Sequence, residues 1–263
     1  MKLLKTLAAA AVLGVASFSS NATVISVGGV TWDLDYSNLT ASDLFASGKF
    51  VQWYGTQSGS PSLTAGNVQA PGAVGSFLQG VGVIDLFNGR EAGGTPFVCA
   101  TCQLTFTFGG LKFDGDLTDG SLFDIAASQS SAFLNLYFRN SNNFSTGSVN
   151  SQTDVNKASN GTLFVGFGLN ALKEQSGFTP TSGFIDSFWK ATSGTAWKHF
   201  DSNGEAFNSD IKFTASAQFK GQVPFASGTG EAVGNTVPEP SSLAVLGLGL
   251  IGLAGMARRK KSA

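Results

Sequence analysis

The chain has 263 residues, enough for one large or two small domains, and only 13% of them are charged. It contains 34 glycines and 23 phenylalanines, and its 42% hydrophobic content can form a core, which excludes a wholly disordered chain. Residues 23–238 include 10 basic and 16 acidic residues. An acidic body with one histidine is a poor match for an anionic polymer, so we expect no nucleic-acid partner.

Residues 1–22 have the three parts of a secretory signal peptide. Lys2 and Lys5 give a positive start, residues 7–15 are apolar, and Ser20 and Ala22 are small residues at positions −3 and −1 of a cut after Ala22. We therefore expect a helical signal peptide that is recognised by the export machinery and removed by signal peptidase. Export would place the two cysteines in an oxidising compartment.

Alternation of apolar and polar residues dominates the body of the chain. Four runs show it: residues 30–36, 104–108, 132–139 and 211–220. In the second run, Leu104, Phe106 and Phe108 alternate with Thr105 and Thr107. This period of two predicts strands with one buried face and one face in solvent.

The arrangement of these strands predicts the fold class. Turn signals such as Gly109-Gly110 separate the runs, and helical periodicity is rare. We predict a mostly β fold, an antiparallel sandwich or jelly-roll-like single domain over residues 23–226. The segment 140–161 is rich in Asn and Ser and is predicted to be a long surface loop.

Four features follow one another after the body. Residues 227–237 are rich in Gly, Ser and Thr and predict a flexible linker. The motif Pro238, Glu239, Pro240 comes next, and residues 241–257 carry no charge, which predicts a single transmembrane helix. A basic cluster that resists translocation and should stay in the cytoplasm then follows: Arg258, Arg259, Lys260 and Lys261.

The motif, the apolar span and the basic cluster together resemble a PEP-CTERM sorting signal, which we place at residues 238–263. The resemblance implies that a membrane protease-transpeptidase, exosortase, recognises Pro238, Glu239 and Pro240. It also implies export from a Gram-negative bacterium, with an inner-membrane intermediate followed by release to the cell surface or extracellular matrix. Association with exopolysaccharide or biofilm is the further implication. The motif is a substrate and brings no catalytic residue with it.

Part of the body also resembles uncharacterised β-rich PEP-CTERM proteins. The resemblance lies in residues 78–84, 88–89 and 99–110. It implies a common exported β-domain and carries no assigned activity.

The pair Cys99 and Cys102 has two interpretations, a redox motif or a structural disulfide. A redox motif needs a helix N-terminus after the first cysteine, whereas a predicted strand follows here. No nearby histidine completes a zinc site. We therefore predict a disulfide, which contributes only about 2 kcal/mol because the loop that it closes is so short.

Two further features are candidate sites, an acidic segment and the single histidine. Asp114, Asp116 and Asp119 resemble part of a calcium loop, but the ligand spacing is out of step, so we expect a solvated turn and no metal. A nonstandard site that includes Asp124 is the alternative. His199 is predicted to lie on the surface, since the sequence offers no nucleophile for a Ser-His-Asp triad. No catalytic residue and no cofactor is predicted.

Three functions are compatible with this sequence. The first is a non-enzymatic, exosortase-sorted envelope or matrix protein with a structural or adhesive body. The second is a carbohydrate-binding module, which two or more exposed Trp or Tyr rings in a groove would favour. The third, less favoured, is a glycoside hydrolase with converging carboxylates. Five aromatic side chains could stack on sugar rings, although core packing is expected for most of them and alternation places Trp32 in the core: Trp32, Trp53, Tyr54, Trp189 and Trp197.

Overall fold

The computed structural model describes residues 24–33, 43–88, 90–91, 97–116, 121–175, 177–219 and 224–237. Several predicted features lie outside these ranges: the predicted signal peptide (1–22), the predicted sorting signal (238–263), residues 34–36 and 220 of the first and last alternating runs, and Asp119. Within them, no helix combines the length and apolar character needed to cross a membrane.

The described residues form twelve strands, three helices and two 3-10 turns. The strands are β1 Val24–Val27, β2 Val30–Asp33, β3 Leu44–Gly55, β4 Val68–Gln69, β5 Phe77–Phe87, β6 Arg90–Glu91, β7 Gln103–Lys112, β8 Phe133–Arg139, β9 Thr162–Glu174, β10 Ser182–Ser193, β11 Ile211–Phe219 and β12 Ala226–Gly234. The helices are α1 Ile125–Ser131, α2 Gln152–Ser159 and α3 Trp197–Phe200, and the 3-10 turns are Thr146–Ser148 and Ala206–Asn208.

Eight of these strands close into an antiparallel barrel in the order β3, β5, β7, β8, β9, β10, β11, β12. The last strand pairs back to the first, so Gln52 of β3 lies opposite Gly80 of β5 on one side and Ala226 of β12 on the other. The predicted mostly β, antiparallel character is confirmed, but the sandwich or jelly-roll arrangement is wrong. Closure depends on pairing strands from opposite ends of the body, which local alternation does not report.

The barrel interior is filled by phenylalanine rings that lie over glycines. Phe50, Phe106, Phe108 and Phe213, here called the interior aromatic cluster, contact one another with ring centroids 5.7–6.4 Å apart. A Cβ atom added to the nearby glycines would come within 2.2–2.5 Å of these rings: Gly82 against Phe106, Gly80 against Phe108, Gly228 against Phe50, and Gly230 against Phe213. Large and small residues thus complement each other inside the barrel, and an apolar cavity of only about 30 Å³ remains at one level.

The last barrel strand occupies most of the predicted linker. Residues 227–234 belong to β12, so the linker prediction at 227–237 is wrong for this stretch. Ala226, Gly228, Gly230 and Ala232 alternate with polar or exposed residues and lie opposite Phe219, Ala217, Ala215 and Phe213 of β11. A strand with small inward residues is required here because the facing rings already fill the space.

Part of the outer wall is covered, which corrects two predictions. Thr105 and Thr107 are buried although solvent was expected on their face. The cover is residues 140–161, which contain α2 and are therefore not wholly a loop. Thr105 donates a hydrogen bond to the Ala158 carbonyl of α2 at 2.6 Å, and a second core forms between this segment and the outer face of β3 and β5.

Arg139 holds this outer cover in place. Its alternation predicted a solvent-facing side chain, but it is buried, and desolvation lowers the pKa of its guanidinium. Its Nε donates to the Asn160 carbonyl at 3.2 Å and its Nη2 to Asn143 Oδ1 at 2.6 Å. The two ends of the covering segment are thereby tied to the end of β8.

The predicted turn at Gly109-Gly110 is instead a bulge inside β7. Leu111 lies opposite Leu78 and Phe108 opposite Gly80, so two residues of β7 face one residue of β5. Gly110 has φ +80°, and an added Cβ atom would lie 2.2 Å from the Ser131 carbonyl oxygen. Glycine is needed at this position for both reasons, and the bulge bends β7.

Candidate functional site

The residues that directly precede the sorting motif are held against one end of the barrel. Residues 235–237, here called the strap, follow β12 and lie beside the β1–β2 hairpin and α3. Three side chains, here called the strap site, contact them: Trp32 of β2, Asp43 directly before β3, and His199 of α3. The fold therefore brings together residues that are up to 204 positions apart in the sequence.

Thr236 is the centre of the strap. It is buried, and its backbone N–H donates to Asp43 Oδ1 at 2.7 Å. Its hydroxyl donates to the same oxygen at 3.3 Å and accepts from Trp32 Nε1 at 3.2 Å. Burial raises the pKa of the Asp43 carboxyl, and the hydrogen bonds from Thr236 act against that rise.

Val237 is held through its backbone. Its N–H donates to the His199 carbonyl at 2.7 Å, and its own carbonyl lies 3.2 Å from His199 Nδ1. Because a carbonyl oxygen only accepts, this contact requires a proton on Nδ1. The expectation of a surface histidine is wrong, since the ring is 7% exposed and packs edge-on against Trp32.

Trp32 anchors this end of the barrel. The ring is 3% exposed and contacts four other rings with centroids about 6 Å apart. Those rings belong to Phe87, Phe164, His199 and Phe200. Val30 and Trp32 are both buried, as the alternation of β2 predicted. The strap therefore lies against a buried aromatic cluster centred on Trp32.

The predicted disulfide is present between Cys99 and Cys102, whose Cα atoms are 5.2 Å apart. Cys102 N–H donates to the Cys99 carbonyl at 3.1 Å, so the bond closes a tight turn, and β7 begins at the next residue. This arrangement matches the structural interpretation of the pair.

The acidic segment contributes a turn and a helix cap. Asp114 Oδ1 accepts from the Asp116 N–H at 3.0 Å. Asp124 accepts from Ala127 N–H at the start of α1 and from Lys112 Nζ at 3.0 Å, and these two hydrogen bonds lower its pKa. Among the described residues, no group of three or more His, Cys, Asp or Glu side chains is arranged to hold a metal ion.

The aromatic residues considered for carbohydrate stacking lie mainly in the core. Trp32, Trp53, Tyr54 and Trp189 are at most 3% exposed, and Trp197 is half-buried. The Tyr54 hydroxyl donates to the Pro180 carbonyl at 3.1 Å; burial, with a smaller contribution from the nearby Glu174, raises its pKa. None of the Trp and Tyr side chains that the structure describes is exposed, so the Trp/Tyr groove that would favour a carbohydrate-binding module is not found there.

The outer wall carries an open groove that the sequence did not indicate, here called the wall groove. It consists of two adjoining cavities of about 830 and about 490 Å³ on β10, β11, β12 and β3. The residues shared by both cavities are Lys49, Phe184, Ser216 and Thr229. Phe184 is 54% exposed, and serine and threonine side chains line much of the remainder.

The acidic groups of the wall groove lie in one half of it, here called the charged half. Asp85 and Glu231 line the smaller cavity, and Lys49 Nζ lies 2.9 Å from Asp85 Oδ2. A period-two pattern predicts that β10 residues alternate faces, but it does not reveal that Phe184 lies within a depression. Neither the wall groove nor the role of Asp43 and Thr236 could be read from a local motif.

Comparison with known proteins identifies one part of the chain. No curated protein and no solved structure matches the chain. Residues 236–260 match the family of the PEP-CTERM protein-sorting motif. The match begins two residues before the predicted signal and so includes Thr236 and Val237 of the strap. This motif implies an exported protein that is sorted at a membrane by exosortase in a Gram-negative bacterium. The chain thus carries a PEP-CTERM protein-sorting motif at residues 236–260.

Proposed function

We propose that this is an exosortase-sorted envelope or extracellular-matrix protein whose barrel is a non-catalytic structural or adhesive domain associated with exopolysaccharide. The match at residues 236–260 carries the sorting part of the proposal. The filled interior supports a role for the barrel's outer surface, because the small apolar cavity has no room for a sugar or cofactor. The wall groove is the surface that suits an extended polar ligand.

Processing of the motif is tested in cells. Replacing Pro238, Glu239 and Pro240 with Ala should leave the full-length chain in the membrane, whereas wild type should lose residues 241–263. Immunoblotting for the mass difference in cells with and without exosortase activity measures this. The matched control replaces Gln57, Ser58 and Ser60 of a loop with Ala and should be processed as wild type. A wild-type chain that keeps residues 241–263 in both cell types would show a permanent anchor.

The basic cluster after the span is expected to act as the stop-transfer signal. Replacing residues 258–261 with Ser removes four positive charges next to the span and should mis-sort the protein. Fractionation of the cells locates the variant. Membrane retention and processing equal to wild type would contradict this role.

A carbohydrate-binding module is the second candidate, and Phe184 in the wall groove is the observation that favours it. Sugar rings stack on exposed aromatic faces while their hydroxyls bond to polar side chains, and the wall groove offers one such face among serines and threonines. Binding of the mature protein to a glycan array should weaken in Phe184→Ala. Phe207→Ala is the matched control, since Phe207 is 60% exposed and does not line the wall groove.

The same array distinguishes the remaining alternative, a glycoside hydrolase. Release of reducing ends that disappears in both Asp85→Asn and Glu231→Gln would identify a hydrolase in the charged half of the wall groove. Binding without cleavage supports the carbohydrate-binding module. Neither binding nor cleavage would leave the structural role as the better account of the barrel.

A further inference from the structure

The strap lies where an enzyme acting on the sorting motif needs access. Val237 is bonded to Pro238, and proline restricts the residue before it to extended backbone. Enzymes that bind peptides in extended form use main-chain hydrogen bonds for affinity. In this structure three backbone groups of the strap already form hydrogen bonds: the Thr236 N–H with the Asp43 carboxylate, the Val237 N–H with the His199 carbonyl, and the Val237 carbonyl with His199 Nδ1.

The strap also fixes how close the barrel stands to the span. Four Cα–Cα steps separate Val237 from Ser241, where the uncharged run begins, which allows at most about 14 Å of extended chain. If residues 235–237 leave the strap site, the free chain starts at Gly234, and the seven Cα–Cα steps from there to Ser241 allow about 25 Å. An undocked strap thus gives an enzyme both free backbone groups and more room beside the membrane.

We propose that the strap site restrains processing, so that residues 235–237 must leave Trp32, Asp43 and His199 before the motif is cleaved. The proposal rests on processing by exosortase, as proposed above. Asp43, Trp32 and His199 act as positioning residues, because they hold the strap and lie outside the matched motif. They come together only in the folded barrel, so the restraint exists only in a body that has folded.

Two variants outside the motif release the strap in different ways. Asp43→Ala removes the acceptor of two Thr236 hydrogen bonds, and His199→Phe removes the Nδ1 contact while keeping a ring against Trp32. Losing the two hydrogen bonds to the Asp43 carboxylate shifts the open–closed equilibrium by roughly tenfold or more, and losing the single contact with the His199 ring shifts it by about several-fold. We expect pulse-chase of the full-length chain to show processing several-fold faster in each variant than in wild type.

Asp186→Ala is the matched control for general destabilisation. Asp186 accepts a hydrogen bond from the Thr214 hydroxyl at 2.7 Å and forms an ion pair with Lys212 at 3.1 Å. These three residues lie on β10 and β11. It should be processed at the wild-type rate. Amide hydrogen exchange on unprocessed chain, purified from cells lacking exosortase activity, should show faster exchange at residues 236 and 237 in the two strap-site variants only.

The outcomes separate this proposal from the proposed function. Faster exchange at residues 236 and 237 with unchanged or slower processing overturns the restraint. Equal acceleration in Asp186→Ala also overturns it, since loosening of the whole barrel then explains the rate. A wild-type chain that is never processed overturns the sorting function together with the restraint, whereas a processed wild type with unaffected variants overturns the restraint alone.

Discussion

Gly230 shows how a single residue controls the barrel interior. The three heavy atoms nearest to its hypothetical Cβ atom all belong to the ring of Phe213, and the nearest lies at 2.3 Å. Gly230→Ala should lower the free energy of unfolding by about 1–3 kcal/mol, because the ring has to leave its preferred position. Urea unfolding of the variant measures this loss.

The double variant Gly230→Ala/Phe213→Leu tests the cause. Its loss should be smaller than the sum of the two single losses, since the smaller side chain makes room for the methyl group. Gly59→Ala is the control, because nothing lies within 4 Å of the added atom, and it should unfold like wild type. Additive losses in the double variant would show that the ring is not the obstacle.

The disulfide is expected to be a minor contributor to stability. Opening the bond between Cys99 and Cys102 should cost about 2 kcal/mol by loop entropy, because few residues are enclosed. Urea midpoints with and without a reductant measure the loss. In Cys99→Ala/Cys102→Ala the reductant should have no effect, and complete unfolding on reduction would contradict the expected small contribution.

At the scale of elements, α2 is fixed by a charged cap that depends on pH. Lys157 Nζ donates to Asp154 Oδ1 at 2.8 Å and the Ser151 hydroxyl to Oδ2 at 2.6 Å, and these bonds lower the pKa of Asp154 from 3.8 to about 2. A lowered pKa means that the folded state favours the ionised carboxylate. Its stabilising contribution is therefore complete above the unfolded value and is lost as the pH falls towards the folded one.

This cap gives a testable acid dependence. Between pH 5 and pH 2 the urea midpoint of wild type should fall more steeply than that of Asp154→Asn, which cannot ionise. Asp114→Asn, in an exposed turn, is the control and should follow wild type. Parallel curves for wild type and Asp154→Asn would show that this carboxylate does not contribute to the acid sensitivity.

The elements also show how far sequence patterns reach. Leu104, Phe106 and Phe108 were predicted to share a buried face, and they do. Their alternation could not reveal that α2 covers the opposite face, since a threonine is compatible with solvent and with a hydrogen bond to a helix. In β12, glycine and serine predict a linker, because composition does not report that Gly228 and Gly230 each lie against a phenylalanine ring of a neighbouring strand.

The candidate sites also differ in how far the sequence predicts them. The sorting motif and the disulfide depend on residues close in sequence and were predicted. The strap site joins Trp32 and Asp43, near the beginning of the body, with His199, near its end, so no local motif connects them. Their roles depend on barrel closure, which is a long-range property.

For the whole molecule, β12 is expected to be indispensable. A chain that ends after residue 225 leaves β3 and β11 with unpaired edges and exposes the interior aromatic cluster, so it should lose cooperative unfolding. A chain that ends after residue 237 should unfold like the processed protein. One that ends after residue 234 keeps β12 without the strap and should lose only part of the stability. Equal urea midpoints for the three chains would contradict the role of β12 in closure.

The position of β12 has a consequence for the order of events during export. A chain that crosses the membrane with its N-terminus first delivers β12 after every other barrel strand, shortly before the apolar run of the sorting signal. The barrel therefore closes only when that run has reached the bilayer, and we expect the body to complete folding while tethered. Proteolysis of arrested export intermediates would show this as a protected body only when residues up to 234 have emerged; protection of shorter intermediates would contradict it. Secretion and folding then finish at the same moment, at the membrane surface where the sorting enzyme is located.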